Sequence, residues 1–148
     1  MKPGILGVHE TVVYAADVGA AASFYRDVMG FAMVSSNPGH SAALRVPVGD
    51  AMVLIFEPGH AGTPGRGVPT HGATGPGHVA FRVERGTLDV WTEAFEAKGV
   101  PIEMDRTWER GGRSVYVRDP GGNSVELVDG VIWPDAQGTR GGVHAQTA

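Results

Sequence analysis

The chain has 148 residues, a formal net charge of −4 and no cysteine, and 42% of its residues are hydrophobic. This length and composition suit one folded domain, and the 23 glycines and 10 prolines favour many short elements joined by turns over long helices. The absence of cysteine excludes disulfides, thiolate nucleophiles and cysteine zinc sites, and the lack of a lysine/arginine cluster argues against nucleic-acid binding.

The first residues lack the long apolar core of a secretory signal. No later run approaches the roughly 20 apolar residues that a membrane span requires. We therefore expect a cytoplasmic protein that contacts no membrane.

The first half of the chain predicts a strand, a helix and a hairpin. The helix begins at Asp17, a good N-cap, and ends at Gly30, which suits a helix C-terminus. Its core-facing side carries Phe24, Val28 and Phe31. The predicted elements are a strand over 7–14, a helix over 17–30, and strands over 42–48 and 51–56 around Gly49 and Asp50.

The second half repeats this order of elements. Its helix begins near Thr87, ends at Lys98 and Gly99, and carries Trp91 and Phe95 on its core-facing side. The predicted elements are a strand over 78–83, a helix over 87–98, and strands over 114–118 and 124–128 around the turn 119–123.

The glycines of the two halves match when the halves are aligned. Gly30 aligns with Gly99, and Gly49 with Gly122, so each half predicts a β-α-β-β-β module. The modules extend over about 5–57 and 78–128, as parts of one domain. The glycine- and proline-rich segment 58–77 is expected to be mainly a linker, with His71 as a possible site residue, and 134–148 is expected to be a tail without periodic structure.

Three segments resemble the vicinal oxygen chelate superfamily, the group of glyoxalase I, fosfomycin- and bleomycin-resistance proteins and extradiol dioxygenases. They are 23–31 (SFYRDVMGF), 77–81 (GHVAF) and 117–127 (VRDPGGNSVEL). The resemblance implies an α+β glyoxalase-like fold, in which two βαβββ modules form a cupped mixed sheet around a metal ion or ligand. It also implies a homodimer.

The resemblance assigns metal-ligand positions to the first and last strands of each module. In the second module these positions fall on His78 and Glu126. In the first module the position lies seven residues before Asp17, on Glu10. His9 is the alternative, because strand alternation lets only one of these two neighbours face the cup.

The fourth ligand position falls on a valine. Matching Gly49 with Gly122 places Val53 opposite Glu126, and a valine cannot bind a metal ion. Glu57, four residues further along, is interpreted as a rim or turn residue. The predicted ligands are therefore two carboxylates and one histidine with an open side, a set that favours Mn²⁺, Mg²⁺ or Fe²⁺ without fixing the divalent metal.

Several residues are candidates for catalysis or for substrate contact. Tyr116 lies ten residues before Glu126, where fosfomycin-resistance relatives place a substrate-contacting tyrosine, and its phenol could act as acid, base or hydrogen-bond donor. Arg113 could clamp a substrate carboxylate or phosphate. The predicted catalytic residues are Glu10, Glu126 and Tyr116, and the predicted substrate-binding residues are Tyr116, Arg113, Val53 and Tyr14. Trp108 and Trp133 could line the pocket or a dimer contact.

These expectations predict a metal-dependent enzyme that acts on a small oxygen-rich substrate by lyase- or isomerase-type chemistry. An Fe²⁺ extradiol dioxygenase is the alternative if His9 rather than Glu10 faces the cup. A metal-free protein that sequesters its ligand, like the bleomycin-resistance relatives, is a further alternative. Val12 stands where fosfomycin enzymes have threonine, and the sequence favours neither fosfomycin nor glutathione as substrate.

Overall fold

The computed structural model of the protein describes residues 3–134. It contains two four-stranded mixed sheets, each formed by one half of the chain, and this confirms the predicted α+β fold of two βαβββ modules. The first sheet has the order β1-β4-β3-β2 and consists of β1 (Glu10–Tyr14), β2 (Ala32–Asn37), β3 (Ser41–Arg45) and β4 (Met52–Phe56). The second has the order β5-β8-β7-β6 and consists of β5 (His78–Arg82), β6 (Met104–Thr107), β7 (Arg113–Arg118) and β8 (Ser124–Asp129).

The helices follow the local signals in the sequence. Helix α1 (Val18–Ser23) begins as predicted at Asp17, whose carboxylate accepts a hydrogen bond from the backbone N–H of Ala20 at 2.9 Å. It continues as a π-helical segment (Phe24–Val28), and Gly30 follows with a φ of 76°, a left-handed conformation that favours glycine. The other helices are α2 (Pro58–Ala61) and α3 (Leu88–Ala97).

The edge strands β2 and β6 are the elements that the sequence did not locate. Every residue of both strands is exposed, so neither strand shows the alternation of apolar and polar residues by which a half-buried strand is recognised. Backbone pairing with β3 and β7 holds them in the sheets.

The two modules share one hydrophobic core. The Phe31 ring of the first module packs edge-on against Phe81 of the second, with ring centroids 5.1 Å apart. The buried Tyr25 hydroxyl donates to Asp119 Oδ2 at 2.9 Å, and the Asn123 amide donates to the backbone oxygen of Tyr14 at 3.0 Å. The β7–β8 turn is thereby fixed against the end of β1.

The two sheets have the same strand register. β1 pairs with β4 in parallel, with Glu10 opposite Met52, and β5 pairs with β8 in parallel, with His78 opposite Ser124. Glu10 and His78 are therefore equivalent, since each begins the first strand of its module. The same register makes Leu54 the equivalent of Glu126.

Among residues 3–134, no helix has both the length and the apolar character needed to cross a bilayer. The predicted tail 134–148 lies outside the described residues apart from Pro134.

Candidate functional site

The second sheet carries a histidine–glutamate pair. His78 begins β5, directly after Gly77, whose backbone N–H donates to the Asn123 side chain at 2.8 Å. His78 Nε2 lies 3.2 Å from Glu126 Oε2, and His78 Nδ1 lies 3.1 Å from the backbone oxygen of Ser124. The structure thus brings together two of the three residues predicted as metal ligands.

The hydrogen bonding of His78 suits a metal ligand. A hydrogen on Nδ1 can donate to the Ser124 carbonyl, and the Nε2 lone pair then faces the Glu126 carboxylate. Two electron-rich atoms at this separation need a cation near them, either a proton on Nε2 or a metal ion. Metal-bound histidines commonly donate their second ring N–H to a backbone carbonyl in this way.

Glu126 is a buried carboxylate with an unsatisfied oxygen. Its residue surface is only 5% exposed, and Oε1 has no hydrogen-bond partner in the described part of the chain. A buried charge without a partner is costly, so a carboxylate in this position calls for a bound cation or a proton. This orphaned oxygen, together with His78 Nε2, fits the donor chemistry of a divalent-metal site.

Tyr116 lies beside this pair. It is directly opposite Glu126 in the β7–β8 register, and its ring stacks with that of His78 at 6.3 Å between centroids. Burial raises the pKa of Tyr116, and the neighbouring Glu126 carboxylate raises it further. The phenol is therefore protonated at neutral pH and available as a hydrogen-bond donor.

Ser114 and Trp108 extend the cluster, and the sequence did not predict the role of Ser114. The Trp108 indole N–H donates to the hydroxyl of Ser114 at 2.8 Å, and the Arg106 guanidinium lies over the indole ring. Ser114 shares the strand face of Tyr116 and is fully buried. The sequence held one signal for this position: Ser114 lies two residues before Tyr116 in a predicted strand, and alternate residues of a strand share a face. Trp133, the other tryptophan with an open assignment, is 79% exposed.

Glu10 does not join the pair within this chain. Glu10 and His9 are both exposed, and Glu10 belongs to the first sheet. Between residues 3 and 134, no three histidine, aspartate or glutamate side chains are close enough to bind one metal ion. Of the three predicted ligands, only His78 and Glu126 are in contact within the described part of this chain, and Glu10 as a ligand stays a prediction.

Val53 is not on the site-facing side of its sheet, which corrects its predicted role in substrate binding. It is fully buried in the hydrophobic core, as is Val125, its equivalent in β8. The β3–β4 loop (46–51) is one residue longer than the β7–β8 loop (119–123), so aligning their glycines shifts the register by one residue. A shift of one residue moves a side chain to the opposite face of a strand.

Arg113 is engaged in surface ion pairs, and its predicted role as a substrate clamp stays a prediction. Its guanidinium binds Asp105 at 2.6 Å and Asp89 at 2.7 Å. It shares its strand face with the buried Val115, two residues further along, and this face is opposite the one that carries Tyr116. Glu57, interpreted as a turn residue, caps α2, and both of its carboxylate oxygens accept backbone N–H groups.

Tyr14 lies on the same face of β1 as Glu10 and contacts His71. The Tyr14 hydroxyl and His71 Nδ1 are 2.6 Å apart, and the His71 ring packs edge-on against Phe56 with ring centroids 4.8 Å apart. Part of segment 58–77 thus folds over the first sheet. Whether Tyr14 contacts a substrate stays a prediction.

The sequence-family model of the Glyoxalase/Bleomycin resistance protein/Dioxygenase superfamily matches residues 7–127 of this chain. Comparison with curated proteins gave no match.

Among solved structures, a lactoylglutathione lyase from Agrobacterium tumefaciens is 40% identical, with a TM-score of 0.82 over 89% of this chain and 98% of that chain. An integron cassette protein from V. Pseudocholerae is 26% identical, with a TM-score of 0.67 over 88% and 99%. A superfamily member from Sphaerobacter thermophilus is 21% identical, with a TM-score of 0.66 over 85% and 98%, and supports the fold alone.

Proposed function

Because this chain belongs to the Glyoxalase/Bleomycin resistance protein/Dioxygenase superfamily, we propose that it is a metal-dependent enzyme with lyase- or isomerase-type chemistry on a small oxygen-rich substrate. The observation that carries the proposal is the His78–Glu126 pair, with its buried, unsatisfied carboxylate oxygen beside Tyr116. The 40% identity to a lactoylglutathione lyase favours lyase-type chemistry over oxygen chemistry.

We infer that His78 and Glu126 supply two metal ligands and that Glu10 of a second copy supplies the third. Glu10 is equivalent to His78 in strand register, is exposed, and lies on the other sheet. His9 precedes β1 and has no such equivalence. A homodimer in which the first sheet of one copy faces the second sheet of the other would complete the site. The cytoplasmic location of the protein stays a separate prediction.

His78, Glu126 and Tyr116 have different roles in the proposed reaction. A bound divalent cation would supply Lewis acidity that stabilises negative charge on a substrate oxygen. The protonated Tyr116 hydroxyl donates a hydrogen bond to that oxygen, which stabilises the charge further. The Glu126 carboxylate, through the oxygen that does not hold the cation, accepts the proton that leaves the substrate carbon.

The class of substrate follows from these roles of the bound cation and Tyr116. A molecule with two adjacent oxygens presents one to the cation and the other to Tyr116. The name of the Agrobacterium relative adds lactoylglutathione to the candidates, although the sequence had favoured no glutathione compound. We propose it as the first substrate to assay.

The decisive experiment is elemental analysis of protein purified without added metal, combined with an assay on lactoylglutathione. We expect near-stoichiometric metal in the wild type and its loss in His78→Ala and Glu126→Ala. Glu93→Ala, which removes an exposed carboxylate on α3, is the matched control and should retain metal. Metal that persists in Glu126→Ala would contradict the proposal, and metal-free wild type would favour a ligand-sequestering protein.

Mixing two inactive variants tests the contribution of the second copy. Glu10→Ala and Glu126→Ala homodimers should each lack metal. A heterodimer of the two retains one intact site. There the copy that carries Glu126→Ala supplies its intact Glu10, and the copy that carries Glu10→Ala supplies its intact His78 and Glu126. Failure of the mixture to recover metal would contradict the shared site. If His9→Ala loses metal and Glu10→Ala does not, His9 is the ligand, and oxygen uptake with catechols should then be measured.

A further inference from the structure

A second cluster of polar side chains lies at the far end of the first sheet. We call it the histidine–arginine corner, and it comprises His40, His60, Arg66 and His71, packed beside Tyr14 and Phe56. His40 and His60 stack with ring centroids 4.0 Å apart, and Arg66 lies 5.4 Å above the Phe56 ring. None of these four residues contributes to the His78–Glu126 pair.

One buried carbonyl holds two parts of the corner in place. The backbone oxygen of Ala61 accepts a hydrogen bond from Arg66 Nη1 at 2.9 Å and another from the backbone N–H of His71 at 3.2 Å. Ala61 is fully buried. The His71 ring is fixed at its Nδ1 side by the Tyr14 hydroxyl. These contacts give the two side chains a defined orientation without a ligand.

Arg66 and His71 have no carboxylate partner among residues 3–134. Arg66 forms no ion pair in the described part of the chain, whereas several other arginines do: Arg26, Arg45, Arg113 and Arg118. Glu57 is the carboxylate next to His60, and both its oxygens are occupied by the backbone N–H groups of Gly59 and His60. Burial lowers the pKa of His60, and the nearby charges of His40 and Arg66 lower it further.

The ring of His71 has a free donor position. When the Tyr14 hydroxyl donates to Nδ1, the neutral ring carries its hydrogen on Nε2. No residue between 3 and 134 accepts from that nitrogen. An imidazole N–H and a guanidinium that lacks a carboxylate thus both lie beside the Phe56 ring, and both are donors for a negatively charged oxygen.

We propose that the histidine–arginine corner binds an oxyanion, the carboxylate or phosphate group of a small molecule, through Arg66 and His71. Tyr14 and Glu10 share one face of β1 and are four residues apart, which is about 13 Å along a strand. A substrate that reaches from the metal site to the corner would therefore be elongated, with its anionic group at the end away from its reacting oxygens. This last step rests on the proposed function, whereas oxyanion binding does not.

The test is a titration of chelator-treated protein with inorganic phosphate and, separately, with succinate, followed through the histidine ring signals in NMR spectra. We expect saturable shifts of the His71 ring signals with one or both anions. Arg66→Gln and His71→Gln should each weaken binding about tenfold or more, as expected for the loss of one charge-assisted hydrogen bond. Tyr14→Phe keeps the aromatic ring and should weaken binding less.

Arg45→Gln is the matched control, because it removes one positive charge from the first sheet at a distance from the corner, where Arg45 pairs with Asp50. It should leave the affinity unchanged, and circular dichroism should show that all variants are folded. The proposal is overturned if neither anion saturates, or if Arg45→Gln weakens binding as much as Arg66→Gln. Glu126→Gln should abolish metal binding and leave anion binding intact, so failure of the metal site is recognised separately.

Discussion

Leu54 and Glu126 occupy equivalent positions in the two sheets. Leu54 lies opposite Val12, the middle residue of β1, and Glu126 lies opposite Ala80, the middle residue of β5. One sheet therefore carries a carboxylate where the other carries a half-buried leucine, and a site that uses both sheets has three protein ligands.

Leu54→Glu should add a fourth ligand. If Glu10 of one copy meets His78 and Glu126 of the other, the new carboxylate faces the same ion and should tighten Mn²⁺ binding at least about tenfold, since affinity rises with the charge of the ligand set. Isothermal titration calorimetry of metal-free protein measures this change. Leu54→Gln is the control of similar shape, and equal affinities for both variants would contradict the equivalence.

Tyr116→Phe should lower kcat/KM by about 10²-fold, since it removes a hydrogen-bond donor to the developing oxyanion. The metal content should not change, because the phenol is not a predicted ligand. The raised pKa predicts that Tyr116 titrates above the ordinary value of about 10. The difference in ultraviolet titration between chelator-treated wild type and chelator-treated Tyr116→Phe measures this, and a phenol that ionises below pH 10 without metal would contradict the assignment.

The Tyr25–Asp119 hydrogen bond should make the protein sensitive to alkaline pH. Burial raises the pKa of Tyr25 and the Asp119 charge raises it further, so the folded protein keeps this proton while the unfolded chain loses it near pH 10. The free energy of unfolding should therefore be constant, as far as this group is concerned, below about pH 10 and should decrease above it.

Tyr25→Phe tests the same contact. The variant should lower the free energy of unfolding by about 1.5 kcal/mol at pH 8, at the low end for a bond to a charged group, because Asp119 Oδ2 keeps its bond from Asn123. It should also flatten the loss of stability above pH 10. Urea unfolding between pH 8 and 11 measures both effects, and an equally steep loss in the variant would assign the sensitivity to another group.

Gly121→Ala should destabilise the contact between the modules. An added Cβ would lie 2.6 Å from the backbone oxygen of Tyr14 and 2.9 Å from the Asn123 amide nitrogen, so the β7–β8 turn would have to move away from β1. We expect a loss of about 1–3 kcal/mol, the usual cost of overpacking. Gly7→Ala is the control, since its Cβ would meet no atom within 4 Å. Thermal unfolding that is equal for both variants would contradict this.

The sequence predicted most elements because their signals are local. Asp17 and Gly30 delimit the first helical region through capping and a left-handed φ, which depend on neighbouring residues only. The short apolar runs of β4 (MVLIF) and β8 (SVELVD), each next to a turn, likewise mark these strands directly. The edge strands β2 and β6 gave no such pattern, since both of their faces are exposed.

The candidate site was only partly accessible to the same reasoning. His78, Glu126 and Tyr116 were predicted, and the structure places them in one cluster. The prediction for Val53 was wrong because a one-residue difference in loop length reverses the face of a strand, and turn glycines do not reveal that difference. The ion pairs of Arg113 were not predicted, because its partners Asp89 and Asp105 lie on other elements.

Short-range signals were enough to predict the first strand, the helix and the closing hairpin of each module, because capping, apolar runs and turn chemistry depend on residues within a few positions of each other. Which side chains meet depends on the tertiary structure instead. It separated Glu10 from His78 and Glu126, left Glu126 Oε1 without a partner in the described chain, and brought His71 and Arg66 onto the first sheet. Such contacts depend on how the sheets and the 58–77 segment pack, and no short-range pattern records that packing.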